Sequence, residues 1–522
     1  MLGEETQDAR HETRHVDNSH APSLLPCVSA DPPVALIVNG PGVLGEAPVI
    51  QQTALPTKTL PATSRRRLVE SAVLFISAIL FLRTVTVEPF GVPTGSMAPT
   101  FCGNHRALAC PRCGYPVRVG EPGNKRQDYP DAHCLNCGAA NLSIANATEI
   151  TGDRLLVDKN VLRLRSPRRW EVAVFICPSD KSKPYVKRVV GLPNEQILLK
   201  DGDVWINGEL ARKTLAQARE CRVPLFDSDF APPHGWKRRW LPDGTVPVLG
   251  ATEAPKLPDW LTLDGSGFSV VADGSTTPRL AAYWQISPDT LATEVFRDGF
   301  EYNGHSNPSH DFPVHDFLVE FEAEVLSGTG AVVCKLSDGG NGATTHLAAG
   351  GEFGESKLLL PPKGLVKTAN RPPLKPGTKY RIEMALVDCR VSVAVEGREY
   401  FSYDLPPAGQ REDVTSPFRI GGQGITVAVR HVRLYRDIYY RTGDRHAART
   451  PFVLGEKEYF MLGDNSANSD DSRSWQIPAV PERNFLGKPF LLHQPSRPSQ
   501  WSVGARRVDS QSIDWARIRW LR

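Results

Sequence analysis

With 522 residues, a formal charge of +3 and 23% charged residues, the chain exceeds one ordinary hydrophobic core and reads as two or three folded units with tails. Its balanced charge gives no electrostatic reason to expect nucleic acid as a partner. Ten cysteines in this length are too few for a disulfide scaffold.

Residues 1–63 are rich in Pro, Ala, Thr and His, lack sustained apolar periodicity, and predict a disordered tail. Behind it, Arg65, Arg66 and Arg67 precede an apolar run from Leu68 to Leu82 that only Glu70 and two serines interrupt. Continued through Val87, with Arg83 snorkelling, the run reaches the roughly 20 residues a bilayer core requires, and one transmembrane helix is expected over 64–88. A buried globular helix is the alternative. The arginine asymmetry keeps the tail in the cytoplasm and exports everything after residue 88. The expected location is therefore the inner membrane, single-pass, with lipid as a partner.

Directly after that run stands "VPTGSMAPT", residues 92–100. A serine between Gly and Met is most often a turn residue, so Ser96 gains interest only if the chain supplies a base to take its proton. Further on, "CPRCG" (110–114) and "HCLNCG" (133–138) set Cys110, Cys113, Cys134 and Cys137 at the spacing of a four-thiolate zinc ribbon, expected as an insertion over 106–142. Each pair sits on a knuckle that Gly114 or Gly138 lets turn. A pair of disulfides, or a redox pair, is the competing reading in an exported compartment.

In "KPYVKRVVGLP" Lys187 lies in a strand-like run with apolar alternate neighbours, Tyr185 and Val189. Facing inward, a lysine loses proton affinity by desolvation and becomes a base; facing water, it is an ordinary surface charge. Residues 215–440 hold short alternating strands, "FLVEFEAEV" (317–325), a hairpin over 380–397 and another strand over 425–438, with Gly/Pro turns between them. They predict an inserted β-sandwich that faintly resembles concanavalin-like jelly rolls. By analogy with those folds a glycan, or else a protein, is its expected ligand. Cys334 and Cys389 can pair across this domain if the compartment is oxidising.

Together with "GDRLLVDK" (152–159), "YVKRVVGLP" (185–193) and "GDNSANSDDSR" (463–473), the "VPTGSMAPT" segment resembles the four characteristic boxes of type I signal peptidases, in order and behind the expected anchor. The resemblance implies a membrane-bound serine endopeptidase that removes signal peptides from exported preproteins after Ala-x-Ala sites, beside the export translocon. It makes Ser96 the nucleophile and Lys187 the general base, with the Ser96 N–H and the Thr94 hydroxyl as the oxyanion hole. Ser469 matches the serine that orients the lysine, and Asp471 and Arg473 match a supporting ion pair. No cofactor is expected for catalysis, only structural zinc in the ribbon.

Three positions depart from the family pattern: Ser466 replaces an arginine, and Asn194-Glu195 replace Gly-Asp. The implied fold is a mainly β catalytic domain split over 89–214 and 441–522. A rival reading keeps the boxes as scaffold for an anchored binding protein, and intact Ser96, Lys187 and Ser469 argue against it. A zinc-ribbon nucleic-acid protein is a third reading, which an exported location rules out.

Overall fold

The computed structural model describes residues 62–521 apart from 123–130, 234, 237–238, 249–254, 289, 305–310, 352–353, 444 and 504–505. The tail expected over 1–63 lies, up to residue 61, outside the described residues. Two compact units divide between Val69 and Glu70. Ala62–Val85 forms a helix of 24 residues.

Among the described residues no helix is long and apolar enough to cross a membrane, which corrects the transmembrane helix expected over 64–88. The run Leu68–Leu82 carries Glu70 and rises about 22 Å, against roughly 30 Å of hydrocarbon. The helix ends at Val85 and the chain continues as a strand, Val87–Gly91. The β-branched sequence Val85-Thr86-Val87 and then Pro89 favour extended chain over helix.

The protein is mainly β. Seven strands follow one another across its central sheet, in the order Val87–Gly91, Arg154–Asp158, Phe485–Leu492, Val172–Ile176, Pro184–Gly191, Glu458–Leu462 and Ala479–Pro481. An eighth, Arg519–Trp520, pairs with Phe485–Leu492. Neighbours throughout are antiparallel. Strands from before and after the long insertion alternate in this order, so the two stretches of chain make one domain. Asn194 takes a left-handed φ of 64° in the turn after Pro184–Gly191, a conformation Asn tolerates better than most residues. Glu195 there accepts the Leu192 N–H at 2.7 Å, so the departure from Gly-Asp leaves a closed turn.

The insertion builds a thirteen-stranded sheet around two long strands, Phe317–Ser337 and Phe418–Arg436. Lys379–Val387 pairs with the first part of Phe317–Ser337, and Gly342–Ala349 with its last part. The two wings so formed contribute to one buried cluster, Met384, Val393 and Phe401 from one side and Leu347 and Leu358 from the other. Bulges near Glu320, Val325 and Gly328 provide the bend that lets the wings diverge. Cys334 and Cys389 are both buried free thiols, so the pairing that an oxidising compartment would allow is not made here.

A third, three-stranded sheet carries the cysteine knuckles, with Pro116–Gly120, His105–Ala109 and Thr148–Ile150 side by side. It is fastened to the insertion through Asn136, fully buried in the second knuckle. Asn136 Oδ1 accepts the Asp227 N–H at 2.7 Å and its Nδ2 donates to the Phe230 carbonyl at 3.1 Å.

Candidate active site

Ser96 sits in a single turn of 3-10 helix, Gly95–Met97, just past the strand Val87–Gly91. That strand ends the central sheet. Lys187 lies mid-way along Pro184–Gly191 and is 2% exposed. Both side chains line one cleft of about 530 Å³, which Thr94, Met97, Pro184 and Val186 also border. The inward alternative for Lys187 is the one the fold adopts.

Lys187 Nζ donates to Ser469 Oγ at 2.9 Å. Burial, partly countered by the Asp471 carboxylate, lowers its pKa to about 8. A neutral amine carries one lone pair, and a hydrogen bond given to Ser469 fixes where that lone pair points.

The segment carrying Ser469 is held by buried charge. Asp471 accepts from Arg473 Nε at 2.8 Å and Nη2 at 2.7 Å, and from the Gly463 N–H at 3.0 Å. Burial works to raise Asp471, but the Arg473 guanidinium outweighs it and leaves the carboxyl below its usual range. Arg473 also reaches Ser466, through Oγ at 2.7 Å and the carbonyl at 3.0 Å. Ser466, the departure from the family pattern, is thus built into the brace. A Cβ on Gly463 would collide with Ser469 Oγ and the Ser96 carbonyl, so glycine is what lets these segments meet.

Several supporting residues escaped the sequence reading. Arg188, on the opposite face of the strand from Lys187, donates to Asp464 from Nε at 2.8 Å and Nη2 at 2.5 Å, and both are buried. Asn465 donates its N–H to the Ser96 carbonyl and its Nδ2 to the Gly95 carbonyl, each at 3.0 Å. Asn303, from the insertion, pairs with Asn465 through reciprocal amide bonds of 2.8 and 2.7 Å. Next to it Tyr302 is 2% exposed, and its ring occupies the space that a Cβ on Gly95 or Gly120 would need. Arg188 lies within the third box and Asp464 and Asn465 within the fourth, which is the only signal for them in the sequence.

The four cysteines of the knuckles converge. Cys110 and Cys137 Sγ are 3.7 Å apart, as are Cys113 and Cys134, and all four ligand atoms lie within 4.8 Å of one another. All are free thiols, which removes the disulfide reading. Sulfurs at the corners of a tetrahedron with metal–sulfur bonds of roughly 2.3 Å stand about 3.8 Å apart. Gly114 and Gly138, at φ of 77° and 78°, turn each knuckle so that its N–H donates back to the first cysteine's carbonyl.

Compared with known families, residues 140–254 and 421–493 match the family described as signal peptidase, peptidase S26. Over these two stretches the chain is similar to the signal peptidase S26 family. The match holds Lys187, Ser469, Asp471 and Arg473, while Ser96 and the cysteines Cys110, Cys113, Cys134 and Cys137 lie outside it. Signal peptidase I of Pseudomonas fluorescens is 31% identical over 147 residues, 28% of this chain and 38% of that one. Signal peptidase I of Rickettsia massiliae is 30% identical over 144 residues, 28% of this chain and 44% of that one. The chain thus spans less than half the length of these signal peptidases. Solved structures with partial likeness include a carbohydrate-binding module CBM66 from Bacillus subtilis, 14% identical, covering 33% of this chain and 88% of that one at a TM-score of 0.21. The alginate lyase Aly36B is 9% identical, covering 37% and 87% at a TM-score of 0.24.

Proposed function

We propose that the protein is a serine endopeptidase that removes signal peptides from exported preproteins through a Ser96/Lys187 dyad. The observation that carries this reading is the desolvated Lys187 amine, hydrogen-bonded to Ser469 and sharing a cleft with Ser96. Neutral Lys187 takes the Ser96 proton as Oγ attacks the scissile carbonyl, and the oxyanion is met by the Ser96 N–H and the Thr94 hydroxyl. Lys187 then returns the proton to the leaving amine. Water, deprotonated by the same amine, releases the acyl chain. Asp471 and Arg473 brace the segment that presents Ser469 and take no part in proton transfer.

The substrate enters as an extended chain. Val87–Gly91 is an edge strand that leads straight into the Ser96 turn, and an added peptide strand there would lay its scissile bond against the nucleophile. Small side chains before the cut, the Ala-x-Ala pattern, suit alternate positions of such a strand. What supports a membrane location is the helix before it, whose Leu74, Phe75 and Ile76 are 71, 68 and 55% exposed. Apolar side chains so exposed are at home against lipid, on the exported side where signal peptides are cut.

The test is cleavage of a preprotein bearing an Ala-x-Ala site by the detergent-purified full chain, beside Ser96→Ala. Cleavage at that site by the parent and none by the variant is expected. A folded parent that cuts no preprotein would return the weight to an anchored binding protein.

For the ribbon we propose structural zinc held by Cys110, Cys113, Cys134 and Cys137. Elemental analysis is expected to find one zinc per chain. Because zinc binding in such ribbons is part of the folding free energy, its removal by a strong chelator should lower the melting temperature and expose thiols to titration. A metal-free chain of unchanged melting temperature would remove the zinc.

A further inference from the structure

Four aspartates meet where the insertion joins the catalytic domain, away from both sites described above. Asp203 belongs to the strand Asp203–Ile206 of the catalytic domain. Asp316 directly precedes Phe317–Ser337, Asp437 directly follows Phe418–Arg436, and Asp388 lies in the turn between Lys379–Val387 and Arg390–Val395. One carboxylate oxygen from each of Asp203, Asp316 and Asp388 lies within 4.8 Å of the others.

Their charge is only half answered. Lys213 Nζ donates to Asp388 at 3.1 Å and to Asp437 Oδ2 at 2.7 Å. Arg411, the other cation, stands 3.9 Å from Asp316, beyond hydrogen-bond reach. Asp316 and Asp437 are 9% and 8% exposed, yet Oδ1 of each is buried with no hydrogen-bond partner. Asp203, Asp316 and Asp437 line a cavity of about 10 Å³, room for a single ion or water. Four carboxyl groups thus face two cations around that space.

We propose that this junction binds a divalent cation of calcium's size through Asp203, Asp316 and Asp388, with Asp437 beside them. Only oxygen donors are offered, which selects a hard cation over the thiolate-seeking metals of the ribbon. Carboxylate oxygens within 4.8 Å of one another suit metal–oxygen bonds of roughly 2.3–2.6 Å. The ion would fasten both long strands of the insertion to the catalytic domain, so its binding would stabilise the folded chain by mass action. The proposal is independent of the peptidase reading.

The test uses the full chain, freed of loosely held divalent ions by a calcium-selective chelator, then titrated with calcium alone by calorimetry and by thermal melting. One calcium per chain and a melting temperature that rises with calcium are expected, and Asp316→Asn should weaken binding by at least about tenfold. Zinc content should stay unchanged in both proteins. A parent that binds no calcium at millimolar concentration, or an Asp316→Asn chain that binds it equally well, would overturn the proposal. Should Asp316→Asn not fold, Asp203→Asn, at a partly exposed position, gives the same comparison.

Discussion

Replacing Lys187 by methionine is expected to lower cleavage by at least about a thousandfold while making the folded chain more stable at neutral pH. Both effects have one cause. Burial lowers the folded pKa of Lys187 from 10.5 to about 8, against the upward pull of Asp471, Asp470 and Asp464 and with the help of Arg473. The unfolded chain therefore binds this proton over a pH range where the folded chain does not. Stability rises with pH across that window, and the penalty of burying the amine is fully present below about 8, worth roughly 3 kcal/mol. Methionine fills similar volume without a charge and escapes the penalty.

The same pKa sets the activity profile of the parent. Only the neutral amine is a base, so kcat/KM should climb tenfold per pH unit up to about 8 and then level. At pH 6 it should stand about a hundredfold below the plateau. Initial rates on a peptide substrate between pH 5.5 and 9.5, with urea melts of both proteins at pH 7, check the two halves together. A flat profile, or a methionine variant that is inactive but also less stable, would mean that Lys187 is held charged and serves structure.

Much of this site was legible because its parts are local. Ser96, Lys187 and Ser469 each sit in a short segment whose residue types announce themselves, and the resemblance orders them. The sequence leaves the burial of Lys187 open because the strand is covered on both faces. Arg188 and Val190 are buried alongside Lys187 and Val189, so apolar alternation could not reveal which face a side chain took. Arg188 finds its partner Asp464 across 276 positions, a separation no window of sequence spans. The cysteine knuckles were readable from spacing because the turn geometry is local to each pair. The fate of Cys334 and Cys389 was not, since it turns on where two distant strands place them. The helix was located to within a few residues, Ala62–Val85 against 64–88, and its end was set too late because the β-branched stretch there was counted as apolar span.

The insertion also reaches the reaction centre, with an expected effect nearly as large. Phe300–Asn303 crosses from the insertion to the Ser96 turn, where Tyr302 packs with Ala98 and Cys102 and stacks on Phe300 at 6.1 Å. Gly95 and Gly120, one in the Ser96 turn and one at the end of the strand Pro116–Gly120, both give way to its ring. Tyr302→Ala would leave a cavity where the three parts of the protein meet, at a cost of about 3–5 kcal/mol. Tyr302→Phe gives up the bond from the hydroxyl to the Asn104 carbonyl at 3.2 Å, about 1 kcal/mol, keeps the ring in place, and should cleave nearly as well as the parent. Asn303→Ala separates positioning from packing. It removes the amide pair that holds Asn465, and Asn465 in turn holds the carbonyls of Gly95 and Ser96. Its kcat should fall by about ten- to a hundredfold with KM and melting temperature little changed, since small misplacements of a nucleophile are costly in rate. If kcat and KM are both unchanged, the fourth box holds the Ser96 turn by itself and the insertion is a passenger at the catalytic centre. A fall in kcat without loss of stability means that the inserted domain has become part of the machinery that aims Ser96.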